Sequence, residues 1–139
     1  MIDIHSHILH GIDDGAVDID MSVAMAKLAV ADGTNVIACT PHFMPGVYDN
    51  TVGILNQAIA ELTDVLAEQQ IPLKLVVGGD VHIAAELETQ LSRHLVPTIG
   101  NSKYFLFEPP HHVVPPNLAK YCERLLEVGF TPILRHPER

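Results

Sequence analysis

Short apolar runs rich in β-branched residues alternate along the chain with longer stretches of helical period, the pattern of repeated strand-helix units around a parallel sheet or barrel. Met1 to His5 reads as the first strand. Asp18 or Asp20 then caps a helix whose Met21, Ala24, Met25 and Leu28 share one face at i, i+3, i+4 and i+7, and Gly33 stops it. A second strand, Asn35 to Cys39, leads through a loop from Pro41 to Asn50 into a helix with Leu55, Ala58, Ile59, Leu62 and Leu66 on its apolar side. Leu73 to Val77 forms a third strand ended by Gly78-Gly79, and a short helix around Ala84 to Ser92 follows. Tyr104 to Glu108 is a fourth strand closed by Pro109-Pro110. The last helix starts after Pro115-Pro116, turns Leu118, Tyr121, Cys122, Leu125 and Val128 inward and stops at Gly129, after which Thr131 to Leu134 makes a fifth strand.

Composition narrows the class. With 139 residues, 47% of them hydrophobic, the chain suits one core and therefore one domain spanning 1–139. A net charge of −9 repels nucleic-acid phosphates and acidic membranes, so no nucleic-acid partner is expected. The chain carries neither a leader-like segment nor an 18-residue apolar run, which predicts no membrane insertion and a cytoplasmic location. Cys39 and Cys122 stand in unlike contexts and read as buried hydrophobes in a reducing compartment. Nine histidines against eight Lys plus Arg raise the expectation of a metal site without locating it.

Position locates it. His5 and His7 follow the first strand, His42 the second, Asp80 the third, Glu108 the fourth and His136 the fifth. In parallel α/β architectures these C-terminal strand ends face one rim, so separate segments aim imidazole or carboxylate at one cavity. The His5-x-His7 pair is weak evidence alone, but residues two apart in a strand point to one face. Asp80 and Glu108 each follow an apolar run and so sit near the core, where a carboxylate needs a metal or another cation. Asp13-Asp14-Gly15 reads first as a turn, with Asp14 balanced between turn and ligand. Arg139 has the fork geometry to hold a phosphate in two-point fashion. His94 reads as a solvated helix end and His10 as a loop residue, and for His82 and His111 a bland structural role is favoured over a substrate role. Cysteine-dependent phosphatase chemistry is excluded, because position 45, where the phosphate-gripping arginine of a Cys39 loop would stand, is Pro.

Four motifs together carry a resemblance: Met1-Ile-Asp-Ile-His-Ser-His7, Gly11-Ile-Asp-Asp-Gly-Ala16, Thr40-Pro-His42 and His136-Pro-Glu-Arg139. They resemble the polymerase-and-histidinol-phosphatase (PHP) superfamily, specifically the bacterial manganese-dependent tyrosine-protein phosphatases of capsule and exopolysaccharide loci. That resemblance implies an α/β fold, a distorted (βα) barrel, here incomplete with about five parallel strands and corresponding to the N-terminal part of the domain. It implies up to three ions, Mn²⁺ with Fe or Zn²⁺ as alternatives: His5 and His7 on the first, Glu108 and His136 on the second, Asp14 and His42 on the third. Asp80 stands where the family has a bridging glutamate, and Arg139 matches an arginine that helps to hold phosphate, so these two are the expected catalytic residues and Arg139 the substrate-binding one. The family's late Asp-x-His pair lies beyond the fifth strand.

The implied activity is hydrolysis of phosphotyrosine on a capsule or exopolysaccharide regulatory tyrosine kinase, by metal-activated water attacking phosphorus in line. Two other readings remain at this level: a histidinol-phosphate-type or other small phosphoesterase, and a catalytically dead metal-binding homologue that acts through association. Barrel edges left with unpaired backbone groups further predict a homo-oligomer.

Overall fold

The computed structural model describes residues 1–110 and 115–136. His111 and Arg139, singled out by the sequence, lie outside the described residues. Among the described residues, seven strands alternate with four α-helices: β1 (Ile2–Ser6), α1 (Ile19–Ala31), β2 (Val36–Cys39), β3 (His42–Phe43), α2 (Val52–Glu68), β4 (Lys74–Val77), β5 (Asp80–His82), α3 (Leu87–Ser92), β6 (Tyr104–Glu108), α4 (Leu118–Glu127) and β7 (Thr131–Leu134).

The strands pair in the orders β1-β2-β4 and β3-β5-β6-β7, and each pairing is parallel. β2 and β3 are one pass of chain interrupted at Thr40-Pro41, and β4 and β5 are one pass interrupted at Gly78-Gly79. The five expected strands are therefore present as five passes in sequential order, as in the wall of a (βα) barrel. Close packing explains the glycine interruption: a Cβ on Gly78 would stand 2.9 Å from Thr40 Cγ2, and one on Gly79 would stand 2.7 Å from Pro97 Cγ.

The core lies between this wall and the helices. Phe105 and Phe107 of β6 are fully buried with Leu55, Leu62 and Leu66 of α2 and Leu125 of α4, and Phe107 stacks on Tyr121 with ring centroids 5.9 Å apart. Helix α2 buries Leu55, Ala58, Leu62 and Leu66, the face that its period marks. Helix α1 starts where expected, with Asp18 accepting from the Met21 amide at 2.8 Å, but its expected inward face is wrong. Ser22, Val23 and Ala26 are buried, whereas Met21 is 45% and Leu28 72% exposed. The small residues let the helix sit close to its neighbours, and that advantage outweighs burial of the larger side chains one step round the helix. At the end of α4, Val128 is likewise exposed instead of inward.

Candidate metal centre

Strand register assembles the centre. His42 pairs with Asp80, Asp80 with Leu106, His82 with Glu108 and Leu106 with Ile133, so these side chains share one face across β3, β5, β6 and β7. Asp80 is 0% and Glu108 2% exposed. His5 and His7 flank Ser6 at the end of β1, with ring centroids 5.0 Å apart, and His7 lies 4.7 Å from His42. Among the described residues, three groups have ligand-type atoms within 4.8 Å of one another: His5, His7 and Asp80; His7, Asp14 and His42; His42, Asp80 and Glu108. His7, His42 and Asp80 each belong to two groups, so the clusters share members and form one continuous centre. Six of the expected residues, His5, His7, Asp14, His42, Asp80 and Glu108, therefore meet at one place. His136 joins none of these groups.

Parity along β7 explains His136. Ile133 shares a face with Leu106, so the next inward position is Arg135, and the amide of Arg135 bonds to the Phe107 carbonyl at 3.0 Å. The Arg135 guanidinium pairs with Asp80 Oδ2 and lies 3.3 Å from Glu108 Oε2. His136 adopts a left-handed backbone with φ of 49° and remains close enough to His5 to influence its protonation.

The histidines are held from behind. Thr40, fully buried, gives its single hydroxyl proton to the Ser6 carbonyl at 3.2 Å and accepts from the Ser6 amide at 2.9 Å and from His5 Nδ1 at 2.8 Å. That arrangement leaves the His5 Nε2 lone pair for another partner. Asp13 does the same for His7. Its carboxylate, with a side-chain exposure of 0%, takes His7 Nδ1 at 2.7 Å, the Gly15 amide at 2.9 Å and the His42 amide at 3.1 Å. The turn reading of Asp13 thus captured its bond to Gly15 and missed the other two, which come from segments that sequence spacing alone does not bring together. Gly15 permits this approach: a Cβ there would stand 2.2 Å from the His7 carbonyl oxygen. Asn50 ties the loop down by donating to the carbonyls of Ile12 and His42 at 3.0 and 2.9 Å.

Electrostatics suit ligation. His5 is held down at about 4 from 6.5 by burial first, then by the nearby Arg135, His7 and His136, against an opposing effect of Asp3. It is therefore a neutral imidazole at neutral pH, the form that binds metal. Burial pushes the Asp13 carboxyl up, but the hydrogen bonds from His7, Gly15 and His42 outweigh it and the net direction is downward. Cys39 is pushed up to about 12 by burial, which removes it from nucleophilic chemistry as the sequence indicated.

A pH dependence follows from His5. Its folded value lies below the unfolded one, so the stability that it contributes is full above pH 6.5 and is lost as pH falls toward 4. For this half-buried ring the loss is on the order of 1–2 kcal/mol after solvent screening. Urea unfolding of the metal-free chain at pH 7 and pH 5 measures it, and His5→Gln should flatten the difference; an unchanged slope would refute the assignment.

Whether the centre fits a metal is answered by its donor set and by one atom. Asp80 Oδ1 is buried and has no hydrogen-bond partner among the described residues, an expensive condition for a carboxylate oxygen unless a cation completes it. Mixed imidazole and carboxylate donors suit intermediate divalent metals. The family described as capsular polysaccharide synthesis, CpsB/CapC, matches residues 1–139. The chain belongs to the CpsB/CapC family. Similar members include the tyrosine-protein phosphatase YwqE of Bacillus subtilis, 38% identical over 143 residues that cover 100% of this chain and 55% of the relative. The tyrosine-protein phosphatase CpsB of Streptococcus pneumoniae is 26% identical over 139 residues, 57% of its own length. The fold matches a crystal structure from work on YwqE of B. subtilis and CpsB of S. pneumoniae, described as unique metal-dependent tyrosine phosphatases. The TM-score is 0.94 at 37% identity, covering 99% of this chain and 56% of that one. The chain thus spans about half the length of the CpsB/CapC relatives it matches. No helix among the described residues is long and apolar enough to cross a membrane.

Proposed function

We propose that the chain forms the metal-binding part of a metal-dependent phosphohydrolase, a cytoplasmic protein-tyrosine phosphatase of capsule or exopolysaccharide synthesis. The observation that carries this reading is the buried Asp80 Oδ1, without a hydrogen-bond partner among the described residues, in a residue common to two of the candidate groups. Membership of the CpsB/CapC family supports the substrate class. His5, His7, Asp14, His42, Asp80, Glu108 and His136 would hold the ions, with Mn²⁺ the favoured metal. Bound divalent ions supply Lewis acidity and a water of lowered pKa.

The chain's own residues do the rest. Asp13 and Thr40 fix the rings of His7 and His5 so that each offers one nitrogen. The inner strand faces keep water from Asp80 and Glu108, which strengthens their hold on any cation. Tyr48 stacks on His42 at 5.2 Å and also lines an apolar cleft with Phe43, Pro45 and Val81, a setting suited to an aryl group beside the centre. Arg139 would grip the phosphoryl oxygens.

Assay of a phosphotyrosine peptide and of small phosphomonoesters with Mn²⁺ tests this proposal. Turnover of the peptide, abolished by a chelator, is expected. Preference for the small esters would reassign the enzyme to the small phosphoesterases, and bound metal without turnover would make this chain a binding module. Exposed Ile2 and Ile4 on β1 and Leu134 on β7 support self-association through the outer strands. A dimer or larger species is expected by light scattering, and a strictly monomeric mass would dismiss it.

A further inference from the structure

Arg135 sits where a metal would. Its Nη1 pairs with Asp80 Oδ2 and lies 3.3 Å from Glu108 Oε2. His42 Nδ1 approaches the same two oxygens, at 3.2 and 3.6 Å. His42, Asp80 and Glu108 form one of the three candidate ligand groups among the described residues, so the guanidinium occupies an oxygen of each of the two carboxylates that an ion in that group would draw on. Register imposes this arrangement, because Arg135 is the first inward position beyond Ile133 of β7. Two carboxylates as buried as Asp80 and Glu108 are costly to keep charged without a cation beside them. The Arg135 side chain is 16% exposed, so it is not sealed from solvent.

We infer that Arg135 is a resident counter-cation of the Asp80–Glu108 pair, and that a divalent ion enters the His42–Asp80–Glu108 group only by displacing it. Resting on the metal-site reading above, this makes Arg135 a determinant of how many ions the chain holds and how tightly. The His7–Asp14–His42 group contains neither of the carboxylates that the guanidinium faces, so it fills first. Occupancy of the third group is then a competition between a tethered monovalent cation and a dissolved divalent one. Its apparent affinity is lowered by the fraction of molecules in which Arg135 is engaged.

The test uses Mn²⁺ alone as the probe, with the 139-residue chain and its Arg135→Gln variant. Equilibrium dialysis with elemental analysis should show tighter binding of the last ion in Arg135→Gln, by about 10- to 100-fold if the engaged state dominates. The metal-free variant should melt at a lower temperature than the parent, and saturating Mn²⁺ should close that gap. A readout free of any folding effect is the rate at which phenylglyoxal modifies Arg135 in the unsubstituted chain, read by peptide mapping. That rate should rise several-fold when Mn²⁺ is added. Equal Mn²⁺ binding by both chains, or an Arg135 that Mn²⁺ leaves equally unreactive, overturns the inference while leaving the metal centre intact. Failure of both chains to retain Mn²⁺ overturns the metal centre as well.

Discussion

Asp80→Asn is expected to cost the chain its tight metal binding while leaving its fold in place. Asp80 is the carboxylate common to the His5–His7–Asp80 and His42–Asp80–Glu108 groups, and it is fully buried. Asparagine keeps the shape and removes the charge, so packing around β5 survives. What is lost is an anionic donor shared by two groups. Loss of an outer-shell partner alone typically costs 10–100-fold in metal affinity, so loss of this donor should cost at least about 100-fold. Arg135 retains Glu108 at 3.3 Å as a partner in the variant, which limits the damage to the metal-free state. Equilibrium dialysis against Mn²⁺ gives the affinity and far-UV circular dichroism checks the fold. A variant that binds Mn²⁺ with unaltered stoichiometry and affinity would remove Asp80 from the centre.

Asp13→Ala should damage both stability and metal binding. The Asp13 carboxylate takes hydrogen bonds from His7 Nδ1 and from the amides of Gly15 and His42. Alanine leaves three donors without their acceptor in a part-buried setting and lets the His7 ring turn. Charge-assisted bonds of this kind are worth 1.5–3 kcal/mol each, and partial rescue by water brings the expected loss to about 3 kcal/mol. For a domain of this size that is a fall in melting temperature of roughly 10 °C. Mn²⁺ affinity should fall by about 10–100-fold, because a histidine without its orienting partner no longer presents one nitrogen. Asp13→Asn should lie between the two, since its amide oxygen can accept from some of the donors without the charge. If Asp13→Ala melts with the parent and binds Mn²⁺ equally well, Asp13 has no positioning role.

The two residues differ in what made them visible. Asp80 ends an apolar run and cannot be an ordinary surface acid, so the hydrophobic pattern alone puts it near the core. Asp13 lies in an Asp-Asp-Gly triplet that any turn would explain. Its bond to Gly15 is local, while its bond to the His42 amide spans 29 positions of sequence. Arg135 was overlooked for a related reason: the sequence shows that a strand ends near Leu134, but not which of the next two residues faces inward. The pairing of Leu106 with Ile133 settles that choice in favour of Arg135.

What the sequence determined by itself was local or periodic: the order of strands and helices, the apolar face of α2, the Asp18 cap, and the imidazole or carboxylate that follows each of the first four strands. These follow from side-chain period, backbone capping and the cost of burying charge, all of which act within a few residues. Tertiary structure alone decided which face α1 buries, how β2 and β3 break at Thr40-Pro41, which acid steadies His7, and which cation meets Asp80 and Glu108. Each of those outcomes depends on strand register and on the distance between elements remote in sequence. A shift of one residue in pairing would turn every side chain of a strand to its other face.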